Sequence, residues 1–419
     1  MELSNKETSF RGKDFLNYYC YLFLFSIAFI PRPTIENNFK YLAPVAIILT
    51  IYIFLIWFWG EKKDIKSLEA NIGQAGLICF AVLSIYYLRI VINQNYSELS
   101  YLISLCLSYS LTLIILYWLN ERKISLFEVY KVIFISFLAL SCLIIFIGFT
   151  GISLFGELRP ARTYGFVIPF YKTTGIPRSY GEFGIFAAVS WAYFLVTMKR
   201  YKNYLRILLI LVILLSLIIS QSRSSYLAIF LVICAFFFTR RKLSQRRVYS
   251  FIIIAICLPL IVEIVILPFK NFTIIDSIVS EGIYEENIYG RLSTYSAALN
   301  MIIERPDKLI LGINHTDWTN NQEANPIGET NADAIALHNH YLSDILFLGI
   351  IGGLFSWLLF LIPILRMKRR IKANDKEGQL IFLVLIGLIA SLQFYEGFFS
   401  IIAAVVISTI WYSTSGFNN

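Results

Sequence analysis

Charge is scarce in this chain. Only 15% of its 419 residues are Asp, Glu, Lys or Arg. A soluble chain of that length folds as one large core or as two or three domains, and either needs far more polar surface. A soluble fold is therefore excluded. Histidine is scarcer still, at three residues: His315, His338 and His340. All lie in one segment, yet neither HxxxH nor HExxH spacing occurs, so a zinc site is not expected. The six cysteines, Cys20, Cys79, Cys106, Cys142, Cys234 and Cys257, show no CxxC or CxxH spacing and fall inside apolar runs. They read as small buried hydrophobes, which leaves no disulfide framework and no thiolate metal site. Heptad patterns, low-complexity tracts and clear internal repeats are also missing.

Apolar side chains are abundant: 58% of the chain is hydrophobic and mean hydropathy is +0.68. Runs near the length of a membrane crossing recur at 16–31, 41–60, 72–92, 100–120, 131–150, 180–198, 205–220, 225–239, 249–268, 341–365, 380–395 and 398–413. A helix needs about 20 residues to cross roughly 30 Å of hydrocarbon. The pattern predicts an all-α, polytopic transmembrane helical bundle of about twelve spans. Runs 205–220 and 225–239 are short and joined tightly through Gln221-Ser222-Arg223-Ser224, so one broken or re-entrant unit is an alternative there. The N-terminus is polar and no cleavage site follows the first run, which reads as a retained span.

The net charge of +9 does not point to nucleic acid. Lys and Arg form short clusters between runs, at 62–66, 122–131, 199–206, 240–247 and 366–376. Alternating crossings put every cluster on one side, as the positive-inside rule expects. Both termini are then cytoplasmic, and the basic loops meet anionic lipid headgroups. Segment 269–340, with ten acidic residues against four basic ones, falls on the opposite side. The expected organisation is spans one to nine over 1–268 with a short outer loop at 151–179, a large outer loop over 269–340, and spans ten to twelve over 341–419.

The outer loop 151–179 carries Arg159, Arg162, Lys172 and Arg178 against Glu157 alone. Basic residues there run against the positive-inside trend, and Gly and Pro predict a folded-back loop. In the large loop, residues 290–305 have helical apolar spacing, which predicts a helix in an external cap.

Four polar groups stand out. Arg178 and Glu182 are four apart at the mouth of a span: an interfacial ion pair, or a guanidinium held by a carboxylate to meet an anion. Arg223 lies between Ser222 and Ser224, and either snorkels or forms an oxyanion-binding corner with them. Arg291 follows Gly290 among acidic neighbours, so a surface salt bridge is the plain alternative. His338 and His340 precede the tenth run, as capping or interfacial residues or as a proton acceptor. Together these place arginines and histidine at one outer mouth, which suits a lipid-tailed, phosphate-bearing substrate. Ionisable groups within the runs are few, Glu263 being the main acid, and broken helices are not evident. Both points argue against a channel or a coupled transporter.

Three segments carry a family resemblance. HNHYLSDILFLGIIGGLFSWLLF at 338–360 resembles the His-Asn signature, followed by Gly-hydrophobic-hydrophobic-Gly, of the bacterial O-antigen ligase and O-antigen polymerase superfamily of membrane glycosyltransferases. SRSSYLAIF at 222–230 resembles its Ser-Arg motif. GRLSTYSAALNMIIERPDKLILGIN at 290–314 resembles its Gly-Arg helix and Gly-hydrophobic-Gly turn, with Asn314 where Gly is frequent.

The resemblance implies a GT-C-like enzyme of the bacterial inner membrane. It would transfer an undecaprenyl-diphosphate-linked oligosaccharide at the periplasmic face, with no cofactor and no metal. His338 would be the general base. Arg223 and Arg291 would hold the diphosphate. Arg178 would add charge stabilisation and Glu182 would orient it. Arg159, Arg162, Tyr171 and His340 are supporting substrate-binding candidates. Tyr171, Tyr289 and Trp318 could stack on sugars. Arg178-Ser179-Tyr180-Gly181-Glu182-Phe183 resembles a segment of repeat-unit polymerases, so a polymerase, with a chain-length regulator as an optional partner, is the leading expectation. A ligase acting on lipid A core is the alternative, and a transporter of the lipid-linked oligosaccharide is the alternative of another class.

Overall fold

The computed structural model describes residues 17–18, 20–26, 65–94, 98–152, 158–160, 171–173, 180–220, 223–239, 297–298, 300–304, 308–314, 317–318, 340–371, 376–392 and 401–415. Nine long α-helices lie among these described residues: α1 (Ile65–Asn93), α2 (Leu99–Arg122), α3 (Leu126–Thr150), α4 (Tyr180–Thr197), α5 (Asn203–Ser220), α6 (Arg223–Thr239), α7 (His340–Ile371), α8 (Lys376–Leu392) and α9 (Ile401–Ser415). Two short strands, β1 (Leu158–Pro160) and β2 (Tyr171–Thr173), pair antiparallel in the basic loop. This ribbon is the folded-back structure that Gly and Pro predicted. Runs 41–60 and 249–268 lie outside the described residues.

Four of these helices contain a stretch long and apolar enough to cross a membrane: Ile72–Asn93, Leu126–Thr150, Asn203–Ser220 and His340–Met367. The protein is a multi-pass, all-helical membrane protein, the small ribbon aside. Its outward faces confirm the solvent. Leu77, Phe80 and Leu88 on α1, and Ile207, Leu208 and Leu211 on α5, are exposed, and such patches suit lipid rather than water. Cys142, expected to be buried, is exposed, while Cys20 and Cys79 are buried.

Local sequence sets the helix ends. Ser125 adopts an extended conformation ahead of α3, and Glu128 lies in its first turn, where a carboxylate complements the helix dipole. Gly151 closes α3 in the left-handed region (φ 69°), its N–H donating to Ile147 O at 2.9 Å, a helix stop that glycine makes easily.

Close approach sets the packing. α4, α6 and α8 pack against one another, and they meet at Gly387. A Cβ there would lie 2.8 Å from the Ala188 Cβ and 3.2 Å from Val232. α2 and α9 are joined by Ser408 Oγ donating to Thr112 O at 2.8 Å, and α7 and α9 by Trp411 Nε1 donating to Leu359 O at 2.9 Å. Short links alternate the helix directions. The α1–α2 turn, the end of α3 and the start of α4 therefore share one end of the bundle with the α5–α6 turn and the end of α8.

Candidate active site

The apolar run at 341–365, expected to be a single span, is a helical hairpin. Gly349 has φ 68° and ψ 180° in the middle of α7, a conformation essentially confined to glycine. The arms fold back on each other. The His340 and Phe360 rings lie 5.9 Å apart, and those of Tyr341 and Trp357 lie 6.1 Å apart. In a straight helix, twenty residues would separate the first pair by roughly 30 Å. Gly352 lets the arms close, since a Cβ there would fall 2.7 Å from the Leu348 Cβ.

His340 is consequently not at the mouth of a span. It is 3% exposed and lies nine positions before the break, roughly 14 Å along the arm at 1.5 Å per residue. Its Nδ1 is 3.3 Å from Oδ1 of the fully buried Asp344. Beside it is a cavity of about 30 Å³ walled by α2, α7, α8 and α9, with Ser108, Tyr109, Thr112 and Ser356 as its other polar lining. That is room for a water molecule or two. An imidazole and hydroxyls around such a space, with a carboxylate beside the imidazole, can move a proton.

A break inside a membrane bundle frees backbone groups that lipid cannot satisfy. Here residues 308–314, the Gly-hydrophobic-Gly turn of the large loop, satisfy them. Ile313 N–H donates to Leu346 O at 2.7 Å, and Ile350 N–H donates to Leu309 O at 2.9 Å. Gly312 (φ 83°) and Gly349 make the approach possible. A Cβ on Gly312 would fall 2.6 Å from the Phe347 carbonyl, and one on Gly349 would fall 2.1 Å from Ile310 O. Helical residues 297–298 and 300–304 contribute Ala298 and Met301, which pack with Trp318, Ile313, Leu346 and Phe347 as a separate small core. Residues 300–304 and 297–298 are helical where the 290–305 spacing predicted a helix. Trp318, expected to be a sugar-stacking residue, is 2% exposed inside this core. It packs the hairpin tip instead.

Three residues missed in the sequence complete this region. Arg89 on α1 is fully buried; it pairs with Glu98, donates to Ile313 O at 2.7 Å and also donates to Phe347 O. Asp344 is the third. Each was readable as a single charge at or within an apolar run, the usual mark of a functional or structural position in a membrane. Two arguments made against a transporter therefore fall. One helix is broken, and ionisable groups are buried within the bundle.

The other expected residues are distributed as follows. Glu182 is 1% exposed in the first turn of α4, and Arg223 is the first residue of α6. These helices pack together, and both residues lie at the same end of the bundle. Arg159 pairs in register with Lys172, and Pro160 with Tyr171. Their ribbon packs through β2 against α3 and α5, and α5 precedes Arg223 by a two-residue link. The fold thus gathers Arg159, Tyr171, Glu182 and Arg223 by position at one end. α8 joins that group to the His340 cavity, since its last residue, Leu392, lines the cavity while the helix packs on α4 and α6. Arg162, Arg178, Arg291, His338 and His315 lie outside the described residues, as do Tyr289 and Glu263.

A comparison with curated proteins gives no match. A comparison with protein families matches residues 207–357 to the O-antigen ligase family. That stretch begins within α5, includes Arg223 and the 308–314 turn, and ends at Trp357 in the second arm of the hairpin. The break at Gly349 and the turn that fills it are thus features of a segment that carries an O-antigen ligase family domain.

Proposed function

We propose that the chain is a metal-independent glycosyltransferase of the bacterial inner membrane that moves a glycan from undecaprenyl diphosphate to the lipid A core. The observation that carries this reading is the family match over 207–357, whose description is that of a ligase. The gathering of basic positions at one end of the bundle supports it. In this reading both termini are cytoplasmic, and the site opens to the periplasm within a GT-C-like bundle of about twelve spans. Spans one to nine occupy 1–268, the outer loop 269–340 and the last spans 341–419.

The reaction follows from the residue types. His338 takes the proton of the acceptor hydroxyl, whose oxygen attacks the anomeric carbon. The bond from that carbon to the diphosphate oxygen breaks, and the lipid diphosphate leaves with the electron pair. Arg223, Arg291 and Arg178 meet the charge that develops on it, through paired N–H donors that match phosphate oxygens. Buried Glu182 orients Arg178. Arg159, Arg162 and Tyr171 extend the substrate surface, and His340 with Asp344 stands buried in the bundle.

Repeat-unit polymerisation is the second reading. It was the leading expectation, and the segment Arg178 to Phe183 favours it, but the family description favours the ligase. A transporter of the same lipid-linked glycan is the third, favoured by the broken α7. Deletion of the gene separates them. Lipid-linked glycan that accumulates outside, with an unmodified core, indicates a ligase. A single capped unit on the core indicates a polymerase and overturns the preferred acceptor. Glycan trapped on the cytoplasmic side indicates a transporter.

A further inference from the structure

Arg89 is the sole charged residue of the stretch Ile72–Asn93. It lies one turn from the end of α1, close enough for its side chain to reach the interface and keep its charge in water. It turns inward instead and is fully buried. Burying a guanidinium is costly unless its donors are well paired, and here the two Nη groups meet three separate stretches of chain. One is the Glu98 carboxylate at the head of α2. The second is Ile313 O in the turn of the large loop, and the third is Phe347 O, freed by the break at Gly349. Tyr86 holds the pair from below: its ring lies 4.2 Å from the guanidinium, and its hydroxyl donates to Glu98 at 3.2 Å. A second strap runs parallel, with Lys308 Nζ donating to Asn93 Oδ1 at 2.9 Å and Asn93 Nδ2 to Asn314 Oδ1 at 3.1 Å.

The clamped point is the tip of a lever. The arm 340–348 leads directly from Gly349 to His340. Over roughly 14 Å of helix, a tilt of about 5° at the tip moves the far end by about 1 Å. A misplacement of that size costs on the order of 10²-fold in rate. We propose that Arg89 and Glu98 are positioning residues for transfer: by pinning the hairpin tip to the loop turn they set where His340 and the cavity beside it lie. This rests on the transfer reading above.

The test uses the full chain reconstituted in lipid, with undecaprenyl-diphosphate-linked oligosaccharide as donor and lipid A core as acceptor. Arg89→Met is expected to lower kcat about 10²-fold while donor KM stays within about two-fold. Amide exchange at Ile313 and Ile350 should rise about ten-fold or more, with α4, α6 and α8 as protected as in the wild type. Arg89→Lys keeps the charge but not the fork of donors, and should recover part of kcat. A wild-type kcat in Arg89→Met overturns the proposal. So does exchange that rises equally through α4, α6 and α8, which marks a general loss of structure. If Arg89→Met does not reach the membrane, Glu98→Gln decides: faster exchange confined to Ile313 and Ile350 supports the clamp, and unchanged exchange overturns it. A wild-type protein that transfers no glycan sinks the transfer reading instead, while the exchange results still judge the clamp.

Discussion

Replacing Gly349 with alanine tests the hairpin. The residue sits at φ 68° and ψ 180°, where a side chain costs about 1–3 kcal/mol in backbone strain alone. The new methyl would also fall 2.1 Å from Ile310 O and 2.7 Å from the Gly312 nitrogen. Those are backbone atoms, so the 308–314 turn has to move. Its two hydrogen bonds to the tip, Ile313 N–H to Leu346 O and Ile350 N–H to Leu309 O, are each worth about 0.5–1.5 kcal/mol. The expected loss is about 4 kcal/mol, a large part of a typical stability of about 5–15 kcal/mol. The assay is heat-induced loss of the monodisperse protein in detergent. Gly73→Ala is the internal control, because nothing lies within 4 Å of its Cβ and alanine is the better helix former by roughly 1 kcal/mol. If Gly349→Ala withstands heat as well as Gly73→Ala does, the break in α7 has been misread.

Other substitutions probe different parts of the account. Gly387→Val should destabilise by about 1–3 kcal/mol through overpacking against Ala188 and Val232. Ala188→Gly should restore part of the loss in the same heating assay. Trp411→Phe removes the donor to Leu359 O and should cost about 1–2 kcal/mol, read as earlier unfolding without a change in donor KM. Arg223→Lys retains a positive charge but not the paired N–H geometry, so donor KM should rise about ten-fold; an unchanged KM removes Arg223 from the diphosphate site.

The helices were legible because a membrane leaves few alternatives to them. The run at 131–150 became Leu126–Thr150, that at 205–220 became Asn203–Ser220, and that at 398–413 became Ile401–Ser415. Hydropathy was blind to the hairpin, because both arms of α7 are equally apolar and only Gly349 distinguishes them. The His340 position was misjudged for the same reason. A straight span would have left it at the surface, whereas the fold-back carries it into the bundle. Trp318 read as a sugar platform because aromatic residues in outer loops often are; it is buried in a cluster whose members Ala298 and Leu346 lie 20 and 28 positions away in sequence. Arg89 was visible as a charge, but two of its partners, Ile313 and Phe347, lie more than two hundred positions away, and no local spacing announces them.

In the proposed glycosyltransferase, Arg223 and His338 face the same compartment outside the cytoplasm. Single cysteines at 223 and 338, in a chain with its native cysteines replaced, measure this directly through labelling of intact spheroplasts with a membrane-impermeant maleimide. Both positions are expected to react without permeabilisation, while a cysteine at Lys202 reacts only after it. Labelling of 223 and 338 from opposite sides of the membrane would contradict the account.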